Sequence, residues 1–318
     1  MARHKAAALT LALLSPVTAE FLLGDQYLLG SPKFVPQLVQ MLLFTAFYGG
    51  GALLIREAAR RAGRGWPTIL TLSLAFAVFE EGLLTQTLFN PHYLGLDLLS
   101  FGHIGFLGIG APWTVYVLTL HVVWSMGTPI AIAEALFGRE PWLGKPGRIL
   151  WSVSLALGAI ATFAVSLFLG PTRFVAAPAQ LVGAALIVTA LIFTAFRFRR
   201  PMWTSTSGNT WLAFALGLGT TAAFQVIFHE WSNGSPWLLT GILLVLEAGT
   251  AFAVLRLRAP AFGIAAGALI TYCGLGMMKA VASGLAGTIE QSVLVLAAVA
   301  LLTVAARETP ARSLSEHA

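Results

Sequence analysis

The sequence predicts an all-α, polytopic transmembrane helical bundle of about ten spans. Hydrophobic residues make up 57% of the 318 residues, charged residues only 10%, and the mean hydropathy is +0.81. A soluble domain is roughly a quarter charged. Apolar runs of membrane-spanning length recur between short polar breaks, and the basic residues crowd into alternate breaks.

Taken in order, the runs predict spans at 7–24, 36–55, 67–89, 112–137, 149–169, 178–196, 210–228, 236–256, 261–283 and 289–306. The first has a basic start, Met1-Ala-Arg-His-Lys5, and a small-residue stretch at Val17-Thr-Ala19, as a signal peptide would. It is read as a retained first helix, kinked at Pro16. Residues 1–306 form a single transmembrane domain, and 307–318 a cytoplasmic polar tail, expected to be disordered.

Alternating the breaks between two sides puts Arg3, Lys5, Arg56, Arg60, Arg61, Arg64, Arg139, Lys145, Arg148, Arg197, Arg199, Arg200, Arg256, Arg258, Arg307 and Arg312 on one side. Only Lys33, Arg173 and Lys279 fall on the other. Basic residues favour the cytoplasmic side, so both termini are expected there, in a bacterial-type inner membrane. The longest break on the opposite side, 90–111, is apolar and glycine-rich and reads as an interfacial connector.

The net charge of +6 is accounted for by this orientation signal, so the bilayer is the expected partner and nucleic acid is not. The single cysteine, Cys273, lies in a span and excludes an internal disulfide. Gly49-Gly-Gly51 and Gly263-Ile-Ala-Ala-Gly267 mark places where helices approach closely. Spans 149–169 and 178–196 carry no acidic residue or histidine and read as scaffold or lipid-facing helices.

The chemistry concentrates at Glu80 and Glu81, adjacent carboxylates inside an apolar run. Ionisable groups at bilayer depth are costly and default to function. Adjacent carboxylates resist joint ionisation, so the pair is expected to share a proton or face a cation, a divalent metal among the candidates. Glu80 precedes the outer end of its span by nine residues, and His121 follows the outer end of the next by nine, so each lies roughly 13 Å deep. Glu247 falls at a similar level, and Gln225 and His229 share a helix face. Glu20, Lys279 and Gln225 read as structural, and the cytoplasmic half holds little buried polarity beyond Glu134.

Three short motifs carry a resemblance. Glu80-Glu81, Val117-x-x-x-His121 and His229-Glu-Trp-Ser-Asn233 follow one another in the order of Glu-Glu-x-x-x-Arg, Phe-x-x-x-His and His-x-x-x-Asn. The sequence thus resembles the CAAX-protease and bacteriocin-processing (Abi) family of intramembrane proteases, with Thr85 at the arginine position and Val117 at the phenylalanine. The resemblance implies that a glutamate of the pair polarises water, that His121 assists, and that His229 and Asn233 hold the developing oxyanion. Gly50-Gly-Ala-Leu-Leu-Ile-Arg56 and His121-Val-Val-Trp-Ser125 also look like an uncharacterised bacterial membrane-protein family, a likeness that implies no activity.

Three functions compete at this stage. One is a glutamate-dependent intramembrane hydrolase acting on a membrane peptide. A second is a proton-coupled transporter of a small solute, using Glu80, Glu81, His121 and Glu247. The third is a non-catalytic membrane subunit whose buried polar cluster fixes helix packing. His-Glu-x-x-His, Gly-x-Ser-x-Gly, P-loop and Cys-x-x-Cys motifs are absent from the sequence.

Overall fold

The computed structural model describes residues 2–26, 34–169, 173–197, 208–231 and 234–315. Among them, nine helices are long and apolar enough to cross a membrane, and they correspond to the second through tenth expected spans. The first expected span is helix α1 (Ala2–Pro16), which runs into a π-helical turn at Val17–Phe21. His4, Lys5 and Glu20 keep α1 and its π turn out of the set of nine, yet Ala7, Ala8, Leu11 and Ala12 of α1 are buried in the bundle. Pro16 continues into the π turn with helical backbone angles.

The next span comprises α2 (Phe34–Phe44), a π turn at Thr45–Gly49 and α3 (Gly50–Arg61). It runs to Arg61 rather than the expected 55, because Arg56 and Glu57 pair inside the protein instead of needing water. The third span is α4 (Trp66–Phe79) with a π turn at Glu80–Leu84. Its helix stops at 84, not 89, because Gln86 takes a left-handed backbone conformation (φ 57°). Gln86 is held there by Ala176, whose N–H donates to Gln86 Oε1 at 2.7 Å. Glu80 therefore begins the last helical turn of its span, shallower in the helix than the spacing implied.

A connector with a two-residue antiparallel ladder, β1 (His103–Ile104) and β2 (Ile109–Gly110), leads to α5 (Ala111–Leu120). A π turn at His121–Gly127 joins α5 to α6 (Thr128–Phe137) in one span. Then come α7 (Lys145–Leu169), α8 (Pro178–Ala195), α9 (Thr210–Glu230), α10 (Pro236–Arg256), α11 (Ala261–Ala282) and α12 (Leu285–Ser315). Helix α12 continues through Ser315.

Helices α4, α5, α6 and α11 are the most buried, whereas α7, α8 and α10 expose most of their apolar side chains. Lipid is as apolar as leucine, so packing rather than water exclusion must hold the interior together. The glycines supply it. A side chain at Gly49 would strike the backbone of Ala12, and one at Gly267 would strike the backbone of Phe214 and Leu218. Trp124 lies flat on Tyr272, with ring centroids 4.4 Å apart, and its indole N–H donates to Ala268 O at 2.8 Å.

Cross-helix contacts bring together helix ends that the alternation placed on the same side. His4 faces Glu140 at 3.7 Å, Thr68 bonds Ala195 O, and Gly208 abuts Arg258, all joining ends assigned to the basic side. Lys279 pairs with Asp25 and Gln291 bonds Leu22 O at the opposite end.

Candidate functional site

Four π-helical turns converge on one place. Val17–Phe21 supplies Glu20, Thr45–Gly49 supplies Tyr48, Glu80–Leu84 supplies both carboxylates, and His121–Gly127 supplies His121 and Ser125. A π turn inserts a residue into an α-helix and frequently marks a functional site. Here every one of the four carries a polar side chain into the same cluster.

His121 is the hub. Its Nε2 lies 2.6 Å from Glu81 Oε1, and its Nδ1 lies 3.3 Å from Glu80 Oε2 and 3.2 Å from Ser125 Oγ. Ser15 donates to the Ser125 carbonyl at 2.6 Å, tying α1 to this turn. Glu80, Glu81 and His121 are 3%, 5% and 7% exposed, so this is a charge cluster without bulk water.

The two carboxylates differ in their surroundings. Glu81 Oε2 accepts from Thr85 Oγ1 at 3.1 Å and from Thr87 Oγ1, while its Oε1 meets His121. Glu80 Oε1 accepts from the Tyr48 hydroxyl at 2.6 Å, but Glu80 Oε2 accepts no hydrogen bond. The Tyr48 hydroxyl also lies 3.0 Å from Glu20 Oε1. A phenol has one proton to donate, so it serves only one of these two carboxylates as donor. The other contact is a hydrogen bond only if that carboxyl carries a proton.

Glu20, Tyr48, Glu80, His121 and Glu81 thus form a continuous chain of polar contacts. No lysine or arginine pairs with it among the described residues. Such a cluster needs protons or a cation to balance its charge. One donor atom each from Glu80, Glu81 and His121 lie within 4.8 Å of one another, a spacing that can hold a metal ion. Imidazole and carboxylate oxygen suit a divalent first-row ion. The 2.6 Å contact between His121 and Glu81 would have to open for both to ligate it.

His229 sits apart. His229 Nδ1 donates to Gln225 O at 2.9 Å, and its ring stands edge-on to Tyr116 at 5.6 Å. None of these contacts is with the carboxylate cluster. Tyr116 in turn donates to Gln225 Oε1 at 2.9 Å. Asn233 lies outside the described residues. The sequence pattern singled out Glu80, Glu81 and His121, which do meet. It passed over Tyr48 and Ser125, and it treated Glu20 as structural. A tyrosine beside Gly49-Gly-Gly51 and a carboxylate four residues past Pro16 were the available signals.

A second buried polar network lies at the basic end. Arg56 is fully buried, pairs with Glu57 at 3.1 Å and lies 3.1 Å from Glu134. It also donates to Gly138 O and Glu140 O and stacks on Trp142 at 3.2 Å. Arg60 grips Glu134 with two bonds of 2.7 and 2.6 Å. Glu57 accepts from Trp142 N at 2.6 Å and from Arg61 at 3.2 Å. The basic half is therefore richer in buried polarity than Glu134 alone, and Arg56 and Arg60 belong to a helix rather than a loop. Carboxylates here have guanidinium partners, unlike those of the His121 cluster.

The match to known proteins is at the level of a family. The model of an uncharacterised membrane protein family matches residues 9–312. The chain belongs to that family. No curated protein and no solved structure matches it significantly. Membership establishes a multi-pass membrane protein and brings no activity with it.

Proposed function

We propose that the chain is a membrane-embedded, glutamate-dependent hydrolase centred on Glu80, Glu81 and His121. The observation that carries this reading is the unequal pairing of two carboxylates with one imidazole. Glu81 is fully engaged by Thr85, Thr87 and His121 and orients the ring. Glu80 keeps one oxygen, Oε2, free of hydrogen bonds and facing His121 Nδ1. A free carboxylate oxygen beside an imidazole is suited to take a proton from water and pass it to a leaving group. Tyr48 supplies a hydroxyl donor beside it.

The resemblance to the CAAX-protease and bacteriocin-processing family implies the same roles for Glu80, Glu81 and His121, but the oxyanion role it implies for His229 is not adopted, because that ring bonds Gln225 and packs on Tyr116 instead. The substrate class in this reading is a membrane peptide. The crowding of basic residues at one end supports an inner-membrane location with both termini cytoplasmic. A divalent ion at the three donor atoms would act as a Lewis acid on the water.

A second reading, a proton-coupled carrier of a small solute, draws on the unbroken chain from Glu20 through Tyr48, Glu80 and His121 to Glu81. One experiment separates the two. Wild type, Glu80→Gln, Glu81→Gln and His121→Ala are purified, checked by thermal melt, and assayed in liposomes for cleavage of a fluorogenic transmembrane peptide and for proton flux. Hydrolysis predicts cleavage that falls about 10²–10⁴-fold in Glu80→Gln, the range for loss of a general base. Cleavage indifferent to both glutamates removes the hydrolase, and flux lost in the same variants installs the carrier.

A further inference from the structure

A groove of 640 Å³ lies among α4, α5, α9, α10 and α11. Glu80, Glu81 and His121 do not line it. Its volume is in the range of small-molecule sites, roughly 300–1,000 Å³. Its walls are apolar and aromatic, with Leu118, Val122, Trp124 and Phe224 among them. One carboxylate, Glu247, stands in this lining. It is eleven residues past Pro236 and nine before Arg256, so it sits near the middle of α10, about 16 Å from the helix start.

Glu247 is half-buried, and no cationic side chain pairs with it among the described residues. Its one hydrogen-bond partner there is Thr119, whose hydroxyl also donates to Val115 O at 2.7 Å. A threonine hydroxyl has one proton, so it cannot serve both acceptors fully. Arg139 also lines the groove, but it is exposed beyond the end of α6 and makes no ion pair among the described residues. The groove thus offers a single under-compensated negative charge at membrane depth inside an apolar, aromatic pocket.

We infer that this groove binds a lipophilic organic monocation, with the charge against Glu247 and the apolar body against Trp124 and Phe224. One carboxylate matches one positive charge, and a lone carboxylate is too few ligands for a metal ion. A hydrated cation would forfeit its water without replacement, whereas a cation already wrapped in hydrocarbon would not. The inference rests on Glu247 and is independent of the hydrolase reading.

The test uses the full chain in lipid nanodiscs with tetraphenylphosphonium as probe. Wild type should bind it saturably at one site per chain. Glu247→Gln should weaken binding by about tenfold or more, as loss of one partner of a desolvated charge pair does. Leu118→Trp, which narrows the groove while leaving Glu247 in place, should weaken it as well. Triphenylphosphine oxide, similar in shape but uncharged, should bind weakly and equally to wild type and Glu247→Gln. Equal phosphonium affinity in wild type and Glu247→Gln overturns the proposal. So does tight binding of the neutral probe, which would make the groove an acyl-chain slot. Thermal melts of both variants confirm that each is folded.

Discussion

Tyr48 and Glu80 are 32 residues apart in sequence, and the tyrosine hydroxyl lies 2.6 Å from the carboxylate. Both sit on π turns, and the same hydroxyl reaches Glu20 on a third. One phenol therefore couples three spans at the centre of the carboxylate cluster.

Removing that hydroxyl should be felt first in stability. Tyr48→Phe keeps the ring stack against His121 but leaves Glu20 and Glu80 short of a donor. Loss of a buried hydrogen-bond partner costs about 1–3 kcal/mol. A detergent melt should show a lowered Tm, with Glu20→Gln affected less because the amide preserves the contact. An unchanged Tm in Tyr48→Phe would mean that the cluster relaxes around the lost bond.

Divalent ions probe the donor set of Glu80, Glu81 and His121 directly. Zinc or manganese bound there at a hundredfold excess over its Kd stabilises the fold by about 2.7 kcal/mol. The shift should appear in wild type and vanish in Glu81→Gln and His121→Ala. No shift in wild type would leave the cluster's charge to protons alone.

Arg56 holds the basic end, and its loss should be severe. Arg56→Gln removes the one guanidinium that touches both Glu57 and Glu134, leaving Glu57 to Arg61 and Glu134 to Arg60, and breaking a buried pair from one side costs about 3–5 kcal/mol. Arg61→Gln, at a position 37% exposed, should cost under about 1 kcal/mol. The order of the two melting temperatures decides the point. Equal losses would show that burial at Arg56 carries no special weight.

Glycine positions separate close approach from mere flexibility. Gly267→Leu would push against the backbone of α9 and should destabilise by about 1–3 kcal/mol or more. At Gly219 a Cβ meets nothing within 4 Å, so Gly219→Ala should be neutral or slightly stabilising through helix propensity. Comparable losses at both positions would refute the packing argument.

Sidedness can be read by labelling. With Cys273 replaced by serine, a cysteine at Gly144 should be shielded from an impermeant thiol reagent applied outside cells, and one at Ser235 should react. The reverse pattern would invert the assigned orientation.

The span pattern was legible because hydropathy and basic residues are local properties, and nine of the ten expected spans have a matching membrane-length helix, though the ends expected at 55 and 89 fall at 61 and 84. Arg56 through Arg61 were assigned to a loop because charge alone says surface. The pairing that buries Arg56 and Arg60 comes from Glu134, Gly138 and Glu140, some 80 residues on. The early end of α4 depends on Gln86 meeting Ala176, again a distant contact. At the site, Glu80 and Glu81 were visible as neighbours and His121 by matched depth. Tyr48 was not, since a tyrosine in an apolar run looks like any interfacial aromatic. Its role depends on the π turn that rotates it inward, and no local residue type specifies such a turn.

Each π turn also sets the phase of the helix beyond it. One inserted residue turns everything downstream by about 100° relative to an unbroken α-helix. The four insertions are therefore the gears that keep each span's two halves facing their separate neighbours. Deleting a single residue next to Tyr48 or His121 would let the backbone anneal into plain α-helix without introducing a foreign side chain. Because the deletion removes the very residue that the π turn accommodates, the downstream half of that span would keep its phase, and the loss would fall on the polar side chain that the turn carries into the cluster.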